Sequence, residues 1–190
     1  MIIIPIGVDC GITFSLRDNN MRTYSWPFDW VVTYNGVADI FKNKFIDYLP
    51  KDSSQISCNT YFQHNTFPDD LETMQRRIER FLELLYNTED EVIFFRKGHA
   101  IRHHQEAIEF KVNLKNDLKD AEDLHDYIIE TYPNLKFRII LVLICGECFD
   151  CNNVYTTNRK NIHIFNIATK DRDEEHFKYN SIFYDIFLKQ

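Results

Sequence analysis

Glycine and proline are scarce in this chain, five of each among 190 residues. That scarcity excludes collagen-like, linker-like and low-complexity architectures. No repeat at a solenoid period is present. No apolar run approaches the roughly 20 residues that cross a bilayer. Positive charge is also in deficit, with 22 Lys and Arg against 29 Asp and Glu and a formal charge of −7. An acidic chain with scattered cations is a poor match to a phosphate backbone. Neither a nucleic acid nor a membrane is therefore expected as a partner. The run Ile2-Ile3-Ile4-Pro5-Ile6 is short and has no basic region ahead of it, unlike a signal peptide. Five cysteines without such a signal point to reduced thiols and a cytoplasmic location.

Aromatic residues are abundant: 15% of the chain, with 16 Phe and 10 Tyr. Large flat side chains must fill much of the core, and the length suits one domain over residues 1–190. Ile2–Ile6 reads as a strand buried on both faces, and Cys10–Leu16 as the start of a helix. Val37 to about Leu49 reads as a helix with Ile40, Phe41, Phe45 and Tyr48 on one side. Asp69–Tyr86 is strongly amphipathic, with Leu71, Met74, Ile78, Phe81, Leu82 and Leu85 at helical spacing. Leu114–Ile129 repeats that pattern through Leu118, Ala121, Leu124, Ile128 and Ile129. Val92–Phe95, Phe137–Ile144 and Ile162–Ile167 are apolar strands, and a last helix is expected from about Asp173 to Leu188. Apolar strands alternating with amphipathic helices predict a single layered α/β domain, its mostly parallel sheet flanked by helices.

Cys10 is the first candidate for chemistry. A thiol where a strand passes into a helix feels the positive end of the helix dipole, which favours thiolate. Open α/β sheets also gather ligands at the carboxyl ends of their strands. Asp9 opposes that ionisation, and a small buried hydrophobe is the competing role for such a cysteine.

The residues Ile6-Gly7-Val8-Asp9-Cys10, Leu16-Arg17 and Met21-Arg22-Thr23-Tyr24-Ser25-Trp26-Pro27-Phe28-Asp29-Trp30 form a pattern. It resembles the opening of an uncharacterised family, found in bacteria and large DNA viruses, that carries the label papain-like cysteine peptidase. His64-Asn65-Thr66-Phe67, Arg76-Arg77-Ile78-Glu79-Arg80-Phe81 and Val92-Ile93-Phe94-Phe95-Arg96 extend the resemblance over roughly the first 100 residues. It implies a Cys10 nucleophile, a His64 base, and Asp29 as an orienting or structural acid. A thiolate attacks an acyl carbon while the imidazole accepts and returns the proton. A papain-like core would place its cysteine on a helix packed against an antiparallel sheet, whereas these residues read as strand, cysteine, then alternating helices and strands.

That layout is also similar to SGNH-type esterases, whose nucleophile follows the first strand and whose late Asp-x-x-His precedes the last helix. Asp173-Glu174-Glu175-His176 occupies that place, although Cys stands where those enzymes have Ser and no internal Asn block is visible. His176 with Asp173 is thus the alternative base and acid, against the simpler role of a solvated acidic helix start. His99, His103 and His104 read as surface residues near a strand end. His125 reads as solvated, and His163 as a core or edge residue. Cys145, Cys148 and Cys151 lack a fourth metal ligand at motif spacing, so neither metal nor cofactor is expected. Trp26–Trp30 reads as an aromatic plug over the sheet edge, with Asp29 satisfying backbone amides.

The expected activity is that of a hydrolase or acyl transferase. Its substrate would be a peptide or an acyl-bearing small molecule with an amide, ester or thioester carbonyl. The alternative is a non-catalytic interaction or host-modulating protein, which in a virus would act in the host cytoplasm.

Overall fold

The computed structural model of the chain describes residues 1–8, 10–34, 36–99, 117–144, 155–169 and 171–189. Asp9, His103, His104, Cys145, Cys148 and Cys151 lie outside the described residues, as does the side chain of His99. Four strands make a parallel sheet: β1 (Ile2–Pro5), β5 (Val92–His99), β6 (Phe137–Ile144) and β7 (Ile162–Ile167), in that spatial order. Ile2 sits opposite Val92, which pairs with Phe137 on the other side. The expected α/β layering is observed.

Successive strand residues point to opposite faces, and this period divides the core. Ile2, Ile4, Phe94, Ile139 and Leu141 meet α2 (Val37–Lys42), α3 (Leu71–Asn87) and α4 (Asp117–Thr131). Ile3, Ile93, Phe95, Ile140 and Val142 meet α1 (Gly11–Asp18) and α5 (Arg172–Phe187) on the other face. Both faces are covered, which is why these strands are continuously apolar instead of alternating. Because all four strands run one way, Cys10 and the start of α5 emerge at the same, carboxyl-terminal edge of the sheet.

The fold departs from the sequence reading in four places. The helix starting at Val37 stops at Lys42, and the chain then takes positive φ at Lys44, Phe45 and Asp47. That irregular turn lets Phe45 and Tyr48 join Phe28, Phe41 and Phe81 in one aromatic cluster, with ring centroids 5.1–6.5 Å apart. Phe28 and buried Trp26 pack in the same space, against Phe41 of α2 and Phe81 of α3. His125, read as solvated, is buried: it bonds Asp126 at 2.9 Å and its ring lies 5.7 Å from Phe137. Ile129, read as core, is 51% exposed. A small antiparallel sheet, β2 (Val32–Thr33), β4 (Thr60–Tyr61) and β3 (Ile56–Ser57), has no counterpart in the sequence reading, because two-residue strands carry no periodicity.

Candidate active site

Cys10 is the N-cap residue of α1, half-buried, with φ −76° and ψ −4°. Its carbonyl accepts the amide of Phe14 at 3.0 Å, and its side chain makes no capping bond. The first turn of α1 contains no acidic residue, so the helix does not neutralise its own positive end. A thiol in this position lies where the dipole favours thiolate.

One turn on, Thr13 ties α1 to Asp29, donating from Oγ1 to Oδ1 at 3.3 Å. Asp29 is fully buried and collects its other bonds on Oδ2, from Arg22 Nε at 3.1 Å, Arg22 Nη2 at 2.6 Å and the Trp26 amide at 3.0 Å. Burial pushes its carboxyl above the usual range, while the hydrogen bond and charge of Arg22 pull it back. This carboxylate joins α1 to the aromatic loop, and among the described residues none of its bonds goes to a histidine. Trp30, the next residue, has φ +65°. A bulky residue in the left-handed region costs about 1–3 kcal/mol and persists only where its surroundings fix it. Here the Asp29 bonds fix the preceding residue, and the Trp30 ring is held against Phe14 of α1 at 4.8 Å, edge to face.

His64 also meets the Trp30 ring. Its imidazole is edge-on to Trp30, centroids 6.3 Å apart, and is solvent-exposed. Among the described residues it makes no hydrogen bond, so both ring nitrogens are available. The loop that carries it is pinned to α3, since Thr66 N and Asn65 Nδ2 donate to the Asp70 carboxylate at 2.8 and 3.4 Å. The contacts thus run from the helix capped by Cys10, through Phe14 and Trp30, to His64.

His176 and Asp173 lie on α5, both exposed. The N-cap of that helix is Asp171, which accepts the amides of Asp173 and Glu174 at 2.8 and 2.9 Å. The first turns of α5 reach the end of β5 through an ion pair of Glu175 with Lys97 at 3.1 Å. No hydrogen bond, ion pair or ring contact joins His176 to Asp29, Trp30 or His64 among the described residues. His163 is exposed on β7. No cluster of three or more metal-ligating side chains occurs among the described residues. No helix among them is long and apolar enough to cross a membrane.

Two polar features have no counterpart in the sequence reading. Arg22 appears there only as a motif letter, and its partnership with Asp29 needed the fold. Arg96 is 1% exposed and binds Asp117 Oδ1 through Nε at 3.1 Å and Nη2 at 2.5 Å. It also donates to the carbonyls of Ile6 at 2.6 Å, Thr33 at 3.3 Å and Tyr34 at 3.1 Å. Asp120 extends the network by accepting the amides of Val37 and Ala38 at the start of α2. Together these groups fix the exit of β1 that leads to Cys10. An Arg at the end of a strand-like run was the only available signal.

Residues 1–67 match the model of a family described as "Putative papain-like cysteine peptidase". The match bears out the resemblance read from the sequence, over a shorter span than the roughly 100 residues inferred there. It contains Cys10, Asp29 and His64 and stops before Asp173 and His176. Neither the curated proteins nor the solved structures give a significant match to the chain.

Proposed function

We propose that the protein is a cysteine-dependent hydrolase or acyl transferase. In this reading Cys10 attacks an amide, ester or thioester carbonyl of a peptide-like substrate, and His64 is the base. The observation that carries it is the contact path from α1, which Cys10 caps at the carboxyl edge of the parallel sheet, through Phe14 and Trp30 to His64. His64 takes the thiol proton as sulfur bonds the acyl carbon, and returns it to the leaving nitrogen or oxygen as that bond breaks. The resulting thioester passes its acyl group to water or to a second nucleophile. Asp29 acts as a positioning residue, holding α1 and Trp30 in register. Its buried bonds to Thr13, Arg22 and Trp26 assign it no proton-transfer step. His64 is preferred to His176 because it shares Trp30 with α1.

The test is iodoacetamide labelling from pH 4 to 9 with peptide mapping of every cysteine, in wild type, His64→Ala and His176→Ala. Half-buried Cys10 should label faster than exposed Cys58 below the ordinary thiol pKa of about 8.5. His64→Ala should abolish that advantage, and His176→Ala should leave it. Equal labelling of Cys10 and Cys58 in wild type would overturn the reading in favour of a binding protein. Loss of the advantage in His176→Ala alone would move the base to α5.

A further inference from the structure

Arginine is concentrated around Trp30 in a way the acidic composition conceals. The Arg17 guanidinium carbon lies 4.9 Å from the Phe14 ring centre and 5.8 Å from that of Trp30. Arg22 lies 5.8 Å from the same Trp30 ring. Arg80, from α3, lies 5.5 Å from the Tyr24 ring and donates to the Ser25 carbonyl at 3.2 Å. Arg77, also from α3, is half-buried and within electrostatic reach of Asp29, Arg22, Asp70 and Arg80. Among the described residues two of these four cations, Arg17 and Arg22, form ion pairs with carboxylates. Asp29 is shared by Arg22 and its neighbours, and Asp18 pairs with Arg17 only at the exposed surface. Among the described residues neither Arg77 nor Arg80 has an ion-pair partner. Burial weighs most against the charge of Arg77; Asp29 and Asp70 support it, and Arg22 and Arg80 add repulsion. A cleft of about 390 Å³ runs along Arg17, Asn20, Arg22, Thr23, Tyr24 and Ser25.

We propose that this cleft is a subsite for a carboxylate of the substrate, an Asp or Glu side chain near the acyl group that Cys10 attacks. The proposal rests on the hydrolase or transferase reading for its placement, and it assigns the substrate class: acidic peptides. A planar guanidinium offers paired N–H donors that match a carboxylate in two parallel bonds. Arg17 and Arg22 already lie over aromatic rings, which limits the freedom lost when they bind. Thr23 and Ser25 add hydroxyls on the same wall.

Binding can be tested without turnover. Cys10→Ser protein is titrated with blocked tri-glutamate, tri-glutamine and tri-lysine peptides and with inorganic phosphate, following the tryptophan fluorescence. Of the two tryptophans, Trp26 is buried and Trp30 sits under the arginines. Tri-glutamate should bind, weaken as salt rises, and lose about tenfold in affinity in Arg17→Gln and in Arg80→Gln. Tri-glutamine and tri-lysine should not bind. Both substitutions lie on exposed side chains, and a circular-dichroism melt confirms that the variants are folded. Tri-glutamate binding no better than tri-glutamine, or equally well in both variants, overturns the proposal. Phosphate binding tighter than tri-glutamate also overturns it, by assigning the cleft to phosphate. Because Cys10→Ser cannot turn over, failure here is distinct from failure of Cys10 to label.

Discussion

Arg96 and the arginines around Trp30 are two solutions to keeping a guanidinium in or near a protein interior. At Arg96, bonds run to one carboxylate and three carbonyls, and the residue is 1% exposed. Around Trp30 and Tyr24 four guanidiniums gather with ion pairs only to Asp18 and Asp29 among the described residues, and Arg17 and Arg22 line a cleft. A saturated cation is scaffold, because nothing further can bind it. An unsaturated cluster has donors left for a ligand. The first holds the exit of β1, and the second lies against Phe14, Trp30 and Tyr24, beside the helix that Cys10 caps.

Breaking the scaffold should cost most. Arg96→Met strands Asp117 in the interior, and urea unfolding should show a loss of about 3–5 kcal/mol. Asp29→Ala should follow at about 2–4 kcal/mol, since it removes charge-assisted bonds but leaves Arg22 partly hydrated. The same variant should also reduce Cys10 labelling by releasing Thr13. Gly98→Ala tests the scaffold without removing a charge. Its Cβ would stand 2.6 Å from Asp117 Oδ2, so denaturation should report about 1–3 kcal/mol lost to overpacking. Arg17→Gln, on the cleft, should change stability by no more than about 0.5 kcal/mol while weakening acidic peptides.

An exposed pair sharpens the contrast through pH. Hydrogen bonds from Arg159 and His125 hold the Asp126 carboxyl down at about 2. A depressed folded-state value means that its contribution is present above the ordinary carboxylate range near 4 and is lost as pH falls toward 2. The difference in melting temperature between wild type and Asp126→Asn should therefore be present at neutral pH and vanish near pH 2. It should remain the smallest of these effects, because water and salt screen the pair.

Much of the scaffold was legible from periodicity. β6 and β7 fall on the expected residues, and α3 shows its Met74, Phe81 and Leu85 stripe. Local pattern failed where long-range contact decided the outcome. The residues after Lys42 continue a helical spacing, yet aromatic packing of Phe45 and Tyr48 overrides it. His125 sits among acids in the sequence, but the fold turns it toward Phe137. His64 was a candidate through the family resemblance, and the position of Cys10 between a strand and a helix was legible in the sequence. The Asp29–Arg22 pair and the convergence of Arg17, Arg22, Arg77 and Arg80 were not. One of the bonds that build this convergence, between Ser25 and Arg80, spans 55 positions, and no spacing rule encodes that proximity.

The most direct test of the account is covalent trapping. Wild-type protein is mixed with a p-nitrophenyl ester of a blocked glutamyl peptide, quenched in acid, and mapped by mass spectrometry. The account predicts an acyl adduct on Cys10, formed ahead of any on Cys58 and greatly slowed in His64→Ala. Acylation of Cys58 at an equal rate, or no adduct on Cys10, would contradict it.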